Sequence, residues 1–262
     1  MFRMINPESY TIKELKKILS PEKINAELLA ALECDARKGV RKLAARYRKL
    51  AAKKRKQKKK WRQRNFRRKL LRSQGYQQIA GIDEAGRGPL AGPVVAAAVI
   101  LPADQPITGL KDSKKLPAKK REKLFREINE KAPGVATGRA SVEEIDKYNI
   151  HQATFLAMRR AIKSLKRTPD YLLIDGRHKI PEINNKQEAV VEGDSRVNSI
   201  AAASIIAKVT RDKLIEAYHS TYPEYNFKQN KGYGTAEHIS ALEKYGPSPV
   251  HRRSFSAVKD NV

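Results

Sequence analysis

Gly81-Ile82-Asp83-Glu84-Ala85-Gly86-Arg87-Gly88-Pro89-Leu90-Ala91-Gly92-Pro93 runs without a break into Val94-Val95-Ala96-Ala97-Ala98-Val99-Ile100-Leu101-Pro102. An apolar approach delivers two adjacent carboxylates into a glycine-rich turn, and the chain leaves that turn as a β-branched run closed by proline. Gly86-Arg87-Gly88-Pro89-Leu90-Ala91 also fits the loose dinucleotide-binding pattern. A dinucleotide site, however, needs its glycine turn to open into a helix whose N-terminus holds the pyrophosphate. The run after Pro93 instead predicts a second strand on a short connection. Carboxylates beside a buried strand end are costly without a partner, and a divalent cation is the natural one.

Outward from this hairpin, the patterning from Gln77 onward predicts strands near 78–83, 93–101, 135–142, 171–175 and 187–192. Helices are predicted near 117–131, 149–166, 198–219 and 235–245. The first three strands follow one another with one helix between, and the last two lie behind helical crossovers. That order predicts an α/β domain with a mixed five-stranded sheet flanked by helices.

Three apolar runs end on an acid: Ile79-Ala80-Gly81-Ile82 at Asp83-Glu84, Tyr171-Leu172-Leu173-Ile174 at Asp175, and Glu188-Ala189-Val190-Val191 at Glu192-Gly193-Asp194. Helical crossovers imply parallel strands, whose carboxyl ends lie side by side where open α/β sheets bind ligands. Asp83, Glu84, Asp175 and Asp194 would then share one pocket. Their mutual repulsion makes sense if divalent cations bridge them, as in a two-metal site, and Mg²⁺ suits an all-oxygen shell. Asp194 also stands just before a helix, where an acid serves as a cap, so both readings stand for it. Glu122, Glu143, Glu144 and Glu216 read as ordinary surface or capping acids.

Paired metals beside a basic surface point to phosphodiester chemistry and require no Ser/His/Asp set. Lys111-Asp112-Ser113-Lys114-Lys115 offers hydroxyl and ammonium donors to phosphates, or is an exposed turn. Lys231-Gly232-Tyr233-Gly234-Thr235 sets an aromatic between glycines, able to lie flat on a sugar or base, or simply to pack.

The 262 residues allow one large domain plus an appendage. Residues 1–72 carry 25 Lys+Arg against 6 Asp+Glu, so most of the net charge of +27 sits in the first quarter. Residues 41–72 alone hold 18 Lys+Arg in 32 positions. Such a field attracts polyanions through counterion release, with strong salt dependence; an anionic membrane is the competing target. Thr11 with Glu14, and Ser20 with Pro21, predict two short helices within 11–34. Val40, Leu43, Tyr47 and Leu50 keep a helical spacing that thins out into Lys53–Lys60, so the segment reads either as a solvated, partly disordered arm or as a nucleic-acid tether. Trp61 and Phe66 could stack on bases there. No apolar run reaches the ~20 residues a bilayer span needs, the start lacks a secretion-signal core, and Cys34 stands alone, so the chain reads as soluble and cytoplasmic.

With these residues in place, the chain closely resembles bacterial ribonuclease HII, the type 2 ribonuclease H. The matching segments are 81–93, Asp112 to Leu116, 171–176, Gly193 to Arg196, Ala201 to Asp212, 231–235 and His251 to Phe255. The resemblance implies a ribonuclease H-like fold over 73–262, with 1–72 as a basic, mainly helical extension. It implies metal-dependent endonucleolytic cutting of RNA in RNA/DNA hybrids and at ribonucleotides embedded in duplex DNA. Products would carry 5′-phosphate and 3′-hydroxyl ends. Asp83, Glu84, Asp175 and Asp194 would be the catalytic, metal-binding carboxylates, served by two ions, Mg²⁺ or Mn²⁺. Gly86, Arg87 and Gly88 would sense the ribose 2′-hydroxyl, Tyr233 would pack on the adjoining deoxyribose, and Ser113 and Lys114 would contact substrate. Neither a membrane nor an obligate protein partner is expected. The competing class is a non-catalytic nucleic-acid binder whose basic arm is the active part; a carboxylate quartet where a phosphate must sit speaks against it.

Overall fold

Thr11 and Glu14 form a reciprocal capping box: Glu14 N–H donates to Thr11 Oγ1 at 3.3 Å and Thr11 N–H to Glu14 Oε2 at 2.8 Å. They open α1 (Ile12–Ile18). The structure, a computed structural model, describes residues 6–19, 24–103 and 105–261. Ser20 and Pro21 lie outside the described residues, and the second helix, α2 (Ala26–Cys34), is capped by Asn25, whose Oδ1 accepts from Leu28 N–H at 2.8 Å. The third, α3 (Lys38–Arg64), starts on the predicted apolar stripe. Val40 and Leu43 are buried with Leu15 and Leu32, and Tyr47 Oη donates to Leu19 O at 2.8 Å. Past Leu50 the side chains are nearly all exposed, and the backbone stays helical through the lysine-rich run.

The chain divides into two compact units, 1–63 and 64–262. The second opens with α4 (Phe66–Ser73), so the border falls before this helix and not at 72, where the sequence reading places it. Arg68, buried on α4, donates to Leu101 O at 2.7 Å and to Asn65 Oδ1 at 3.0 Å. The order continues β1 (Ile79–Ala85), β2 (Val94–Ile100), α5 (Ala118–Lys131), β3 (Gly134–Ala140), α6 (Val142–Lys163), β4 (Tyr171–Asp175), β5 (Lys186–Val190), α7 (Gly193–Arg196), α8 (Asn198–Thr221), α9 (Phe227–Asn230), α10 (Ala236–Tyr245) and α11 (Ser256–Lys259).

These strands form one mixed sheet in the order β3-β2-β1-β4-β5. The β1–β2 and β2–β3 pairs are antiparallel, while β1–β4 and β4–β5 are parallel. Strand alternation sends Ala80 and Ile82 into the core shared with Phe155 and Met158 of α6; the other face of the sheet, with Ala97 and Val99, packs on Ala201–Ile206 of α8. α6 begins seven residues before the predicted start, on a Ser141–Glu144 capping box. Asn149, at φ 65°, kinks it and re-caps the second segment, its Oδ1 accepting from His151 N–H at 2.9 Å and Gln152 N–H at 3.1 Å. The expected start at 149 is thus the second of two helix starts.

Candidate active site

The β1–β4 register pairs Ile82 with Ile174, so Asp83 and Asp175 leave adjacent parallel strands at the same level. Asp175 Oδ1 accepts the backbone N–H of Gly193 at 2.7 Å and of Asp194 at 3.3 Å, which brings the turn after β5 to the same sheet edge. Gly193 is required there, because a Cβ would lie 2.6 Å from Ile200 Cδ1 and 3.1 Å from Asp175 Oδ1. The three strand exits therefore meet.

Alternation along β1 sends Asp83 toward α8 and Glu84 toward α6. Asp83 is buried, its Oδ1 accepting the Glu84 N–H at 2.7 Å, while Glu84 and Asp175 line a small cleft of about 100 Å³ with His151, Thr154 and Arg177. The two acids of the Asp83-Glu84 pair thus straddle the strand end. Among the described residues, no three His, Cys, Asp or Glu side chains already close on one point as a metal-binding group.

Burial pushes all four carboxyls above their ordinary range. For Asp83, desolvation is the largest cause and the charges of Glu84 and Asp175 add to it. Glu84 is raised by desolvation against the pull of Arg87, whose Nη1 lies 3.4 Å from Glu84 Oε1. Asp175 is raised by desolvation, partly offset by its backbone donors and Lys114. Asp194 is raised by desolvation and then by Asp112 and Asp175. Desolvated, oxygen-only, mutually repelling donors fit a hard divalent cation, which favours their ionised forms.

The remaining expected residues surround this edge. Gly86 sits at φ 96°, and a Cβ would fall 2.0 Å from Arg211 Nε. Gly88 lies beside Tyr233, whose ring is 41% exposed with Lys208 Nζ 5.9 Å from its centroid. Arg87 and Lys114 are exposed. Ser113 is buried, its Oγ accepting from Ser204 Oγ at 3.0 Å, so its hydroxyl is engaged in the interior and turned away from solvent.

Sequence reasoning misses the residues that hold this turn in shape. Arg252, fully buried, donates to the carbonyls of Gly86 at 2.6 Å, Arg87 at 2.9 Å and Gly92 at 2.7 Å and 2.9 Å. Arg211, equally buried, donates to Ala91 O at 3.0 Å, Lys231 O at 3.0 Å and Pro93 O at 3.2 Å. Burial lowers both, Arg252 to about 9 and Arg211 to about 10, which still leaves them cationic at neutral pH. Arg64 donates to Leu110 O at 2.5 Å and to Asp194 O, fixing the backbone that carries the fourth acid.

The ribonuclease HII family model matches residues 80–258, and the ribonuclease HII N-terminal domain model matches 11–66. Ribonuclease HII of Lactobacillus johnsonii is 50% identical over 251 residues, covering 95% of this chain and 98% of its own. Among solved structures, the ribonuclease H2 of Pyrococcus horikoshii superposes with a TM-score of 0.61 at 27% identity, over 71% of this chain and 97% of that one. Bst-RNase HIII in complex with Mn²⁺ superposes with a TM-score of 0.56 at 20% identity, over 71% and 70% of the two chains, a likeness of fold. Among the described residues no helix is long and apolar enough to cross a membrane.

Proposed function

The chain belongs to the ribonuclease HII family, and on that premise we propose that Asp83, Glu84, Asp175 and Asp194 are its catalytic, metal-holding carboxylates. The family makes it an endoribonuclease that acts on the RNA strand of RNA/DNA hybrids. We extend this to incision at single ribonucleotides in duplex DNA, in the cytoplasm, by metal-assisted hydrolysis. Asp83, Glu84, Asp175 and Asp194 would hold divalent cations, a pair of Mg²⁺ or Mn²⁺, which would supply Lewis-acid stabilisation of charge on the phosphate and a more acidic water. The observation that carries this reading is the meeting of Asp83 and Asp175 on neighbouring parallel strands, with Asp194 N–H on Asp175.

The chain's own residues divide the remaining work. Asp175 keeps its orientation through the N–H groups of Gly193 and Asp194. The Asp83 carboxylate is oriented by the Glu84 N–H, which donates to its Oδ1 at 2.7 Å, and Ser204 favours its ionised form. The carbonyls of Gly86 and Arg87 are drawn inward by Arg252, and backbone without side chains at Gly86 and Gly88 lets a ribose approach closely. Tyr233 flanks that turn and offers a flat face to the neighbouring sugar, while Arg87 and Lys114 offer exposed cations to the phosphates. Water attacks phosphorus in line, the P–O3′ bond breaks and the proton ends on O3′, leaving a 5′-phosphate and a 3′-hydroxyl.

The test is cleavage of three duplexes by the full chain, with Mg²⁺, with Mn²⁺ and with chelator: an RNA/DNA hybrid, a DNA duplex bearing one ribonucleotide, and all-DNA. Cutting of the first two only, lost with chelator and in Asp83→Asn while binding persists, is expected. Undiminished cutting by Asp83→Asn removes the carboxylate assignment.

A further inference from the structure

His238 and His251 are fully buried, and their Nε2 atoms lie 2.9 Å apart. The surrounding donors determine where each proton sits. Ser248 N–H, which can only donate, points at His251 Nδ1 from 3.0 Å, and Ser248 Oγ lies 2.8 Å from the same atom. His251 Nδ1 is therefore a lone pair and its proton is on Nε2. That proton faces His238 Nε2, which must accept, so the His238 proton is on Nδ1 and donates to Tyr233 O at 2.9 Å. One directed chain, Ser248 to His251 to His238 to Tyr233, has no vacant place for a further proton.

The two histidines sit on segments that border the glycine turn and Tyr233. His251 pairs with Ala91 of the glycine turn, flanked by Gly92 N–H donating to Val250 O at 2.8 Å and Arg252 N–H to Leu90 O at 2.9 Å. His238 holds the Tyr233 carbonyl from the first turn of α10, where its own N–H donates to the capping Thr235 Oγ1 at 3.3 Å. The imidazole pair thus ties the segment paired with Ala91 to the Tyr233 carbonyl, beside the direct bond from Leu90 N–H to Gly232 O at 2.7 Å. We propose that His238 and His251 are positioning residues that set the spacing between the glycine turn and Tyr233, and so the fit of the ribose-containing strand. This rests on the reading of Tyr233 as a substrate contact.

Two measurements test it. Imidazole ¹⁵N shifts of the full chain at pH 7 are expected to give neutral Nδ1–H for His238 and neutral Nε2–H for His251; the reverse tautomers overturn the chain without any substitution. On a duplex with one ribonucleotide, His238→Leu is expected to raise KM roughly tenfold, one hydrogen bond's worth, with kcat within about twofold. His238→Asn, whose amide can still donate to Tyr233 O, recovers most of that loss. In a Tyr233→Ala background His238→Leu adds less than about twofold, because both changes act through one contact. Additive effects, or no rescue by Asn, overturn the positioning role. If Tyr233→Ala leaves KM unchanged, the Tyr233 reading fails and the inference falls with it. If Tyr233→Ala raises KM while His238→Leu does not, only the histidines' role fails.

Discussion

Asp83 is held where its charge is least welcome. Burial, Glu84 and Asp175 raise its carboxyl in the folded state above the unfolded value, so without a cation the ionised group detracts from stability at neutral pH. That loss vanishes as pH falls and the folded carboxyl takes up its proton. Asp83→Asn is therefore expected to stabilise the cation-free protein at pH 7.5 by on the order of 1–3 kcal/mol, an advantage that shrinks toward pH 4. Cleavage should fall by about a thousandfold or more. Calorimetry in chelator decides it: a variant less stable than the parent at pH 7.5 would mean that Ser204 and the Glu84 N–H outweigh the repulsion. Gly86 makes the converse case, since its left-handed φ and the 2.0 Å approach of a Cβ to Arg211 Nε leave a side chain no room. Gly86→Ala is expected to cost on the order of 2–4 kcal/mol and to raise KM, read by urea denaturation and steady-state kinetics.

At the scale of elements, the strand exits are legible in the sequence because each pairs an apolar run with an acid and a glycine, a local signal. The arginines behind them are not legible. Among 55 Lys+Arg, nothing local marks Arg211 and Arg252 as the two that turn inward to satisfy carbonyls of a loop more than a hundred residues earlier. Ser204 leaves a faint trace, as the one hydroxyl inside the apolar run Ala201–Ala207. The first segment of α6 escapes because its seven residues precede a kink, although Ser141 and Glu144 spell its capping box. The histidine link between α10 and the chain before α11 joins residues with no spacing pattern at all, and it has a pH signature. Burial lowers both imidazoles, His251 to about 4 with help from His238, while the bond to the Tyr233 carbonyl and then Glu237 oppose the shift at His238. From about pH 6.5 down to 4 the unfolded chain then binds more protons than the folded one, so stability is full above 6.5 and falls as pH drops through that window. His251 alone accounts for roughly 3 kcal/mol. Urea titrations at pH 7 and 4.5 should give a larger drop for the parent than for His251→Gln; equal drops would mean the imidazole titrates at its ordinary value.

For the whole molecule, the basic segment and the catalytic unit make separable contributions, and the place where the chain is cut decides which is measured. Like charges four apart on α3, such as Arg55 with Lys59 and Lys56 with Lys60, oppose the helix they sit on, and a polyanion along that face relieves them. We propose that residues 1–63 tether the enzyme to duplex. Their removal is expected to weaken binding and to flatten its dependence on salt, lowering the log–log slope by about three or more, while kcat at saturating substrate changes little. The border matters because Arg64 and Arg68 belong to the second unit, where Arg64 holds the backbone of Asp194 and Arg68 that of Leu101. Truncation before Arg64 should therefore leave turnover intact. Truncation at 72 also strips these two guanidinium groups, leaves buried carbonyls without donors, and should lower Tm and kcat together. Binding isotherms between 50 and 300 mM salt and single-turnover rates on both truncations separate the two effects. An unchanged salt slope would make the first unit a bystander, and equal kcat in the two truncations would remove Arg64 from the support of the catalytic edge.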